Sequence, residues 1–360
     1  MWARYWSIII SPDLTAVTTI GCRAILTAMN TPESTFSYAY DYIFLIFLGI
    51  PATMLYNLLS GILRSLGDSR TPLMFLVFSS LLNVALDIVC VVTLQMGVAG
   101  AGWATLISQL ISGLLCLLYM DRKFPILHLK KENLLWRGHC VRRLLIMGLP
   151  MGLQYSITAI GSILLQTAVN GLGAVSMAAV AASGKVTNLF ATPYDAMGTM
   201  AATYAGQNLG AGKLDRVHHG VKDCCILGVA YSLAALVVMY FLGAQMTALF
   251  LDSKDVASSA QILPLARQLL VTNAAFYIPL LGVNLFRFTI QGLGYSNLAV
   301  IAGVSEMIAR GAVAALVSVF GFTAVCYASP AAWVLADCFL LPAYFVCMKR
   351  RTKEAAAVRE

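Results

Sequence analysis

Apolar residues gather along this chain into long stretches almost free of charge, and the charged residues fall between them. Uncharged runs extend from Tyr42 to Leu63, from Thr71 to Met120 with Asp87 as the one interruption, from Leu144 to Gly184, from Cys224 to Leu251, from Gln268 to Phe286, from Phe288 to Ser305 and from Gly311 to Ala336. A helix that crosses a bilayer needs about 20 such residues, so several runs hold two helices. Division at Gly, Pro and charge clusters predicts spans near 40–63, 71–94, 98–120, 145–170, 177–206, 224–251, 265–290, 296–320 and 327–348. Residues 7–29 form a partial further span, interrupted by Pro12, Asp13 and Arg23 and without the pattern of a signal peptide. A transmembrane barrel is excluded, because its strands would read as alternating segments of about 10 residues.

Composition narrows the class. Of 360 residues, 59% are hydrophobic and only 11% charged, and mean hydropathy is +0.80. This is an all-α polytopic membrane protein and not a soluble domain. The net charge of +8 follows from topology. With residues 121–143 inside, alternation puts Arg64 and Arg70, the stretch from Lys213 to Lys222 and the 349–360 tail on the same side, leaving Lys254 and Arg267 opposite. Lys and Arg collect in cytoplasmic loops, so the C-terminus is expected to be cytoplasmic. The basic loops then meet lipid heads, and no nucleic-acid partner is needed. The nine cysteines read as small buried hydrophobes; Cys224 and Cys225 are adjacent but lack the further ligands of a metal site.

One segment recurs. Residues 57–69 (NLLSGILRSLGDS) and 284–296 (NLFRFTIQGLGYS) share Asn57/Asn284, Leu58/Leu285, Leu66/Leu293, Gly67/Gly294 and Ser69/Ser296. Each follows a proline, Pro51 or Pro279, inside an apolar span. A duplicated, parallel bundle is expected. Counting back from Leu144 by the same offset places the opening of the first copy before Met1. The expected organisation is therefore an incomplete first bundle over 1–120, a basic cytoplasmic linker over 121–143, a six-helix second bundle over 144–348 and a cytoplasmic tail over 349–360.

A carboxylate inside a span marks a functional site by default. Asp87 is such a residue, and Asn83, four positions earlier, shares its helix face. With the Thr105 hydroxyl from the next helix, the two are suited to hold a hard cation such as Na+, or to tune a carboxyl that takes up H+. The plainer reading is a hydrogen-bonded pair that packs two helices. In the second bundle, Glu306 and Arg310 are spaced to form a structural ion pair. Asp195, just after Pro193, and Asp337 offer negative charge to an organic cation, and Tyr155, Phe190, Tyr194 and Trp333 offer aromatic faces, with Gln154 as a polar neighbour. GQNLGAGK (206–213) is read as a helix end and turn, since its glycines are spaced wrongly for a phosphate loop and Leu214 replaces the required hydroxyl. No nucleophile and base pair stands at one depth, so no enzyme activity, cofactor or bound metal beyond a coupling ion is expected.

Several segments together carry a family resemblance: PATMLYNLLSGILRSLGDSRTP (51–72), NVALD (83–87), GVAGAGWATLISQ (97–109), MGLP (147–150) and GQNLGAGK (206–213). In order and spacing they resemble the multidrug and toxic compound extrusion (MATE) family, from about residue 25 onward. The resemblance implies two pseudo-symmetric six-helix bundles around a central cavity and exchange of small organic cations for Na+ or H+. It departs from the family by lacking the first two helices and most of the third. It also implies a first-bundle cation site at Asn83, Asp87 and Thr105, completed in the family by an acidic residue of the first helix. Some branches carry an acid on the seventh helix, where this chain has Gln154. A monomer is expected. Two alternatives stand beside this reading: a lipid-linked oligosaccharide flippase of the related superfamily, which needs deep cationic residues, and an inactive truncated remnant.

Overall fold

A computed structural model describes residues 2–28, 33–125, 138–251 and 256–357. Lys130, Lys131, Arg137, Lys254 and Arg359, and with them the middle of the expected linker, lie outside the described residues. The described residues are almost entirely helical and contain no strand. They fall into two compact units, Met1–Arg142 and Arg143–Glu360.

The first unit comprises α1 (Trp2–Ala28), α2 (Glu33–Leu48), α3 (Ile50–Ser65), α4 (Arg70–Asp87) continued by a π-helical segment (Ile88–Thr93), and α5 (Gly97–Lys123). α5 packs on α2, α3 and α4, and α1 packs on α2 and α3. The core is formed by Tyr56, Leu59, Leu63, Cys116 and Met120. The interrupted span near 7–29 is one continuous helix, because Pro12 removes a single intrahelical bond without ending the run.

The second unit comprises α6 (Gly138–Asn170), α7 (Ala174–Gly210), α8 (Leu214–Ala248), α9 (Val256–Ala275), α10 (Tyr277–Gly292), α11 (Ser296–Phe320) and α12 (Phe322–Ala357). Its core is larger and is dominated by α7, α8, α10 and α12, with Tyr194, Tyr277, Leu285, Ile290 and Tyr344 buried. Among the described residues seven helices are long and apolar enough to cross a membrane, and two bent pairs qualify as broken spans. Large apolar side chains such as Leu73, Ile163, Phe241 and Val346 are exposed along these helices, as lipid-facing residues are.

Two predicted spans are broken helices. α2 and α3 bend by 41° around Gly49, and α9 and α10 bend by 52° around Phe276. A proline shortly after each break, Pro51 or Pro279, has no N–H to continue the ladder. Both bent pairs end alike. The Gly67 N–H reaches the Arg64 carbonyl and the Asp68 N–H the Leu63 carbonyl, each at 3.0 Å; Gly294 and Tyr295 bond Gln291 and Ile290 in the same pattern. These are Schellman caps, which require a left-handed residue; φ is +90° at Gly67 and +92° at Gly294. The recurrence read in the sequence is thus a shared bend and stop signal.

Candidate functional site

In the first unit the π segment begins directly after Asp87, so the carboxylate stands where the ladder changes from i−4 to i−5. α5 comes close here because residue 100 is a glycine: a Cβ on Gly100 would lie 3.1 Å from the Cys90 carbonyl carbon and oxygen. Ser79 Oγ donates to the Ser108 carbonyl at 2.8 Å, one turn before Asn83, and ties α4 to α5. Beyond that tie polar groups are left over. Asn83 Nδ2 and Asp87 Oδ1 are buried without a hydrogen-bond partner among the described residues. Thr105 donates to the Ala101 carbonyl at 3.0 Å, which leaves its oxygen lone pairs as acceptors. Asn83 and Asp87 do not bond each other, contrary to the packing-pair reading. A carboxylate oxygen buried without a partner is costly unless a proton or cation neutralises it.

The turn leading into α4 is also built around a carboxylate. Asp68 accepts from the Thr71 N–H at 3.1 Å, the Thr71 hydroxyl at 2.9 Å and the Tyr119 hydroxyl at 2.8 Å, with Lys123 at 3.5 Å. Burial pushes the Asp68 pKa up, but these hydrogen bonds and the Lys123 charge outweigh it and bring it from 3.8 to about 2.

In the second unit the expected residues separate. Gln154 is buried and accepts from Gln291 Nε2 at 2.9 Å, joining α6 to α10. Tyr155, the next residue on α6, is 58% exposed. Tyr194 and Trp333 are core residues instead of open cavity walls, because α7 and α12 turn those faces into the bundle. Tyr194 is fully buried, shares a 2.7 Å hydrogen bond with Ser232 and meets the rings of Tyr231 and Tyr277 edge-on; Trp333 packs against Tyr277. Phe190 is half-buried, and its carbonyl accepts from the Tyr231 hydroxyl at 3.1 Å. Asp195 is exposed and Asp337 half-buried.

Glu306 and Arg310 pair at 3.3 Å, but the pair is part of a triad: Arg287 of α10 donates to the other Glu306 oxygen. All three are buried, at 7%, 3% and 8% exposure for Arg287, Glu306 and Arg310. Sequence spacing reveals the i,i+4 pair and carries no signal for Arg287, which reaches Glu306 only across the α10–α11 contact. Tyr277, Tyr231 and Gln291 are missed for the same reason.

With this geometry in view, similarity to known proteins is informative. The MatE family model matches residues 3–89 and 150–327. The chain is 30% identical over 274 residues to the probable multidrug resistance protein YpnP of Bacillus subtilis (strain 168), covering 75% of this chain and 58% of that protein. It is 26% identical over 238 residues to the probable multidrug resistance protein YoeA of the same strain, covering 64% of this chain and 51% of YoeA. The chain thus spans a little over half the length of these curated relatives. In fold it is similar to a MATE crystal structure in complex with MaL6, with a TM-score of 0.89 at 19% identity, covering 97% of this chain and 78% of that one.

Proposed function

We propose that this chain, which belongs to the MatE family, is an ion-coupled antiporter that exports small organic cations or drugs across a bacterial plasma membrane, with its C-terminus cytoplasmic. Na+ or H+ is the coupling ion, and alternating access moves it. The observation that carries this reading is the unpartnered buried oxygen Asp87 Oδ1, at the junction of α4 and the π segment, on the helix face it shares with Asn83. Asp87 supplies the charge, the Asn83 amide oxygen and Thr105 hydroxyl supply neutral ligands, and uptake of an ion removes the cost of the empty carboxylate. The relatives' designation as probable multidrug resistance proteins supports export as the task. Asp195, exposed on α7, and Phe190, five residues before it on the same helix, offer a charge and a ring that attract a delocalised cation.

Ethidium efflux from a pump-deficient bacterium expressing the chain tests this, with membrane level checked by blot. Asp87→Asn at equal expression is expected to slow efflux by about tenfold or more, the order of a lost charged contact. Efflux that is present and unchanged in Asp87→Asn would falsify the first-bundle site. Efflux from neither chain, nor from one extended upstream in the gene, would move weight to the flippase.

A further inference from the structure

The turns that end the two bent helices match residue by residue. At the spacing from Gly67 to Gly294, Asp68 matches Tyr295, Thr71 matches Leu298, Tyr119 matches Val346 and Lys123 matches Arg350. In the first unit these positions build a clamp: the Asp68 carboxylate, at the start of α4, accepts from Thr71 and Tyr119 and lies 3.5 Å from the Lys123 ammonium. In the second unit the cation is kept, but a ring and two aliphatic side chains replace the carboxylate and both hydroxyls. A cavity of about 400 Å³ stands where the clamp would be, and Tyr295, Leu298, Val346 and Arg350 are in its wall.

The polar part of that wall suits an anion. The cavity lies at the N-terminus of the 25-residue α11, whose N-cap Tyr295 makes no side-chain hydrogen bond to the first N–H groups of the helix. Ser296, 3% exposed, lines the cavity, and its hydroxyl makes no hydrogen bond among the described residues. Arg350 is held over the Tyr295 ring, 5.8 Å from its centroid. Arg350 and Arg351 share one carboxylate, Glu354, at 3.2 and 2.7 Å, so one of their two positive charges is uncancelled. A phosphodiester supplies one negative charge and acceptors for the helix, the hydroxyl and the guanidinium.

The apolar part of the wall selects the source of the phosphate. Ile146 of α6 and Val346 of α12 both line the cavity and are 51% and 66% exposed. They stand where α12 passes from AYFVCM (343–348) to KRR (349–351), which is the depth of lipid head groups. Acyl chains would cover these two side chains, and a free phosphate would not.

We propose that this cavity binds the head group of an anionic phospholipid, whose phosphate takes at α11 the place that the Asp68 carboxylate has at α4. The site is independent of the antiporter reading. Thermal melts of the full chain in detergent, with phosphatidylglycerol, phosphatidylcholine or inorganic phosphate added, test it. Phosphatidylglycerol is expected to raise the melting temperature at concentrations where the other two do not. Arg350→Gln is expected to raise the concentration needed by about tenfold, the order of one charge-assisted contact. Lys349→Gln and Lys353→Gln remove the same charge from exposed neighbours and are expected to leave it unchanged. Tyr295→Asp combined with Leu298→Thr and Val346→Tyr rebuilds the first-unit clamp and is expected to abolish the response. Equal weakening by Arg350→Gln and the lysine variants would mean diffuse attraction to the basic tail and overturns the site, as does equal stabilisation by inorganic phosphate. Should the triple variant fail to fold, Ser296→Ala decides beside Arg350→Gln: a weaker response in both supports the site, and an unchanged response in both rejects it.

Discussion

The two bent helices stop in the same way but are secured by different chemistry. In the first unit the residue after the left-handed glycine is Asp68, clamped by Thr71, Tyr119 and Lys123. In the second the residue is Tyr295, whose ring lies under the guanidiniums of Arg350 and Arg351, while Arg351 also donates to the Leu293 carbonyl at 2.7 and 3.0 Å. Lys123, the last residue of α5, and Arg350, two turns before the end of α12, each hold the turn with whatever that turn presents. The polar interiors differ too. Each unit has a carboxylate with an unpartnered buried oxygen among the described residues, Asp87 or Asp337, but only the second adds one, Glu306, whose two oxygens are both in ion pairs. A duplicated scaffold thus preserves bends and stops, which backbone chemistry dictates, and lets buried charge diverge.

The largest effect that sharpens this contrast is on stability. Glu306→Gln leaves two buried guanidiniums without their carboxylate and is expected to cost about 3–5 kcal/mol, read as a loss of folded protein in detergent melts. Asp87→Asn removes a charge with no ion-pair partner among the described residues, so unlike Glu306→Gln it is expected not to lower the melting temperature. Equal losses in the two variants would break the distinction between a structural network and a carboxylate held for an ion.

Next are the turns. Gly67→Ala puts a side chain on a residue at φ +90° with open space around it, and should cost about 1 kcal/mol. Gly294→Ala should cost more, because its Cβ also meets Arg351 Nη2 at 2.9 Å and pushes that group away from the Leu293 carbonyl. Thermal melts of the two variants order them; a reversed order would show that the arginine clamp contributes little.

The smallest effect depends on pH. The folded pKa of Asp68, about 2, lies below its ordinary 3.8. Its contribution is therefore complete above 3.8 and disappears as pH falls towards about 2. Hydrogen exchange across 63–71 should lose protection over that window, while 290–298, held through a ring and a carbonyl, should keep it. Tyr119→Phe removes one bond to Asp68 and should weaken the first turn by about 1 kcal/mol at neutral pH.

Much of this was legible in one dimension. Apolar run length marks the spans, and LGDS and LGYS mark the stops, because hydropathy and a left-handed glycine act within a few residues; the bends at Gly49 and Phe276 were not legible, since Pro150, Pro193 and Pro330 sit in equally apolar runs inside continuous helices. The pairing of Asn83 with Asp87 on one face, and of Glu306 with Arg310, follows from helical spacing alone. The association of Arg287 with Glu306, the withdrawal of Tyr194 and Trp333 into the core and the placement of Asp337 against Gly282 do not. Each depends on how a helix is rotated about its axis and which helix it meets. In a spanning helix that is apolar on every side, periodicity leaves that rotation unspecified. The sequence by itself determined the class, the spans, the turns that end two of them and the family. Only tertiary packing decided which buried charges meet and which carboxylates are left without a partner.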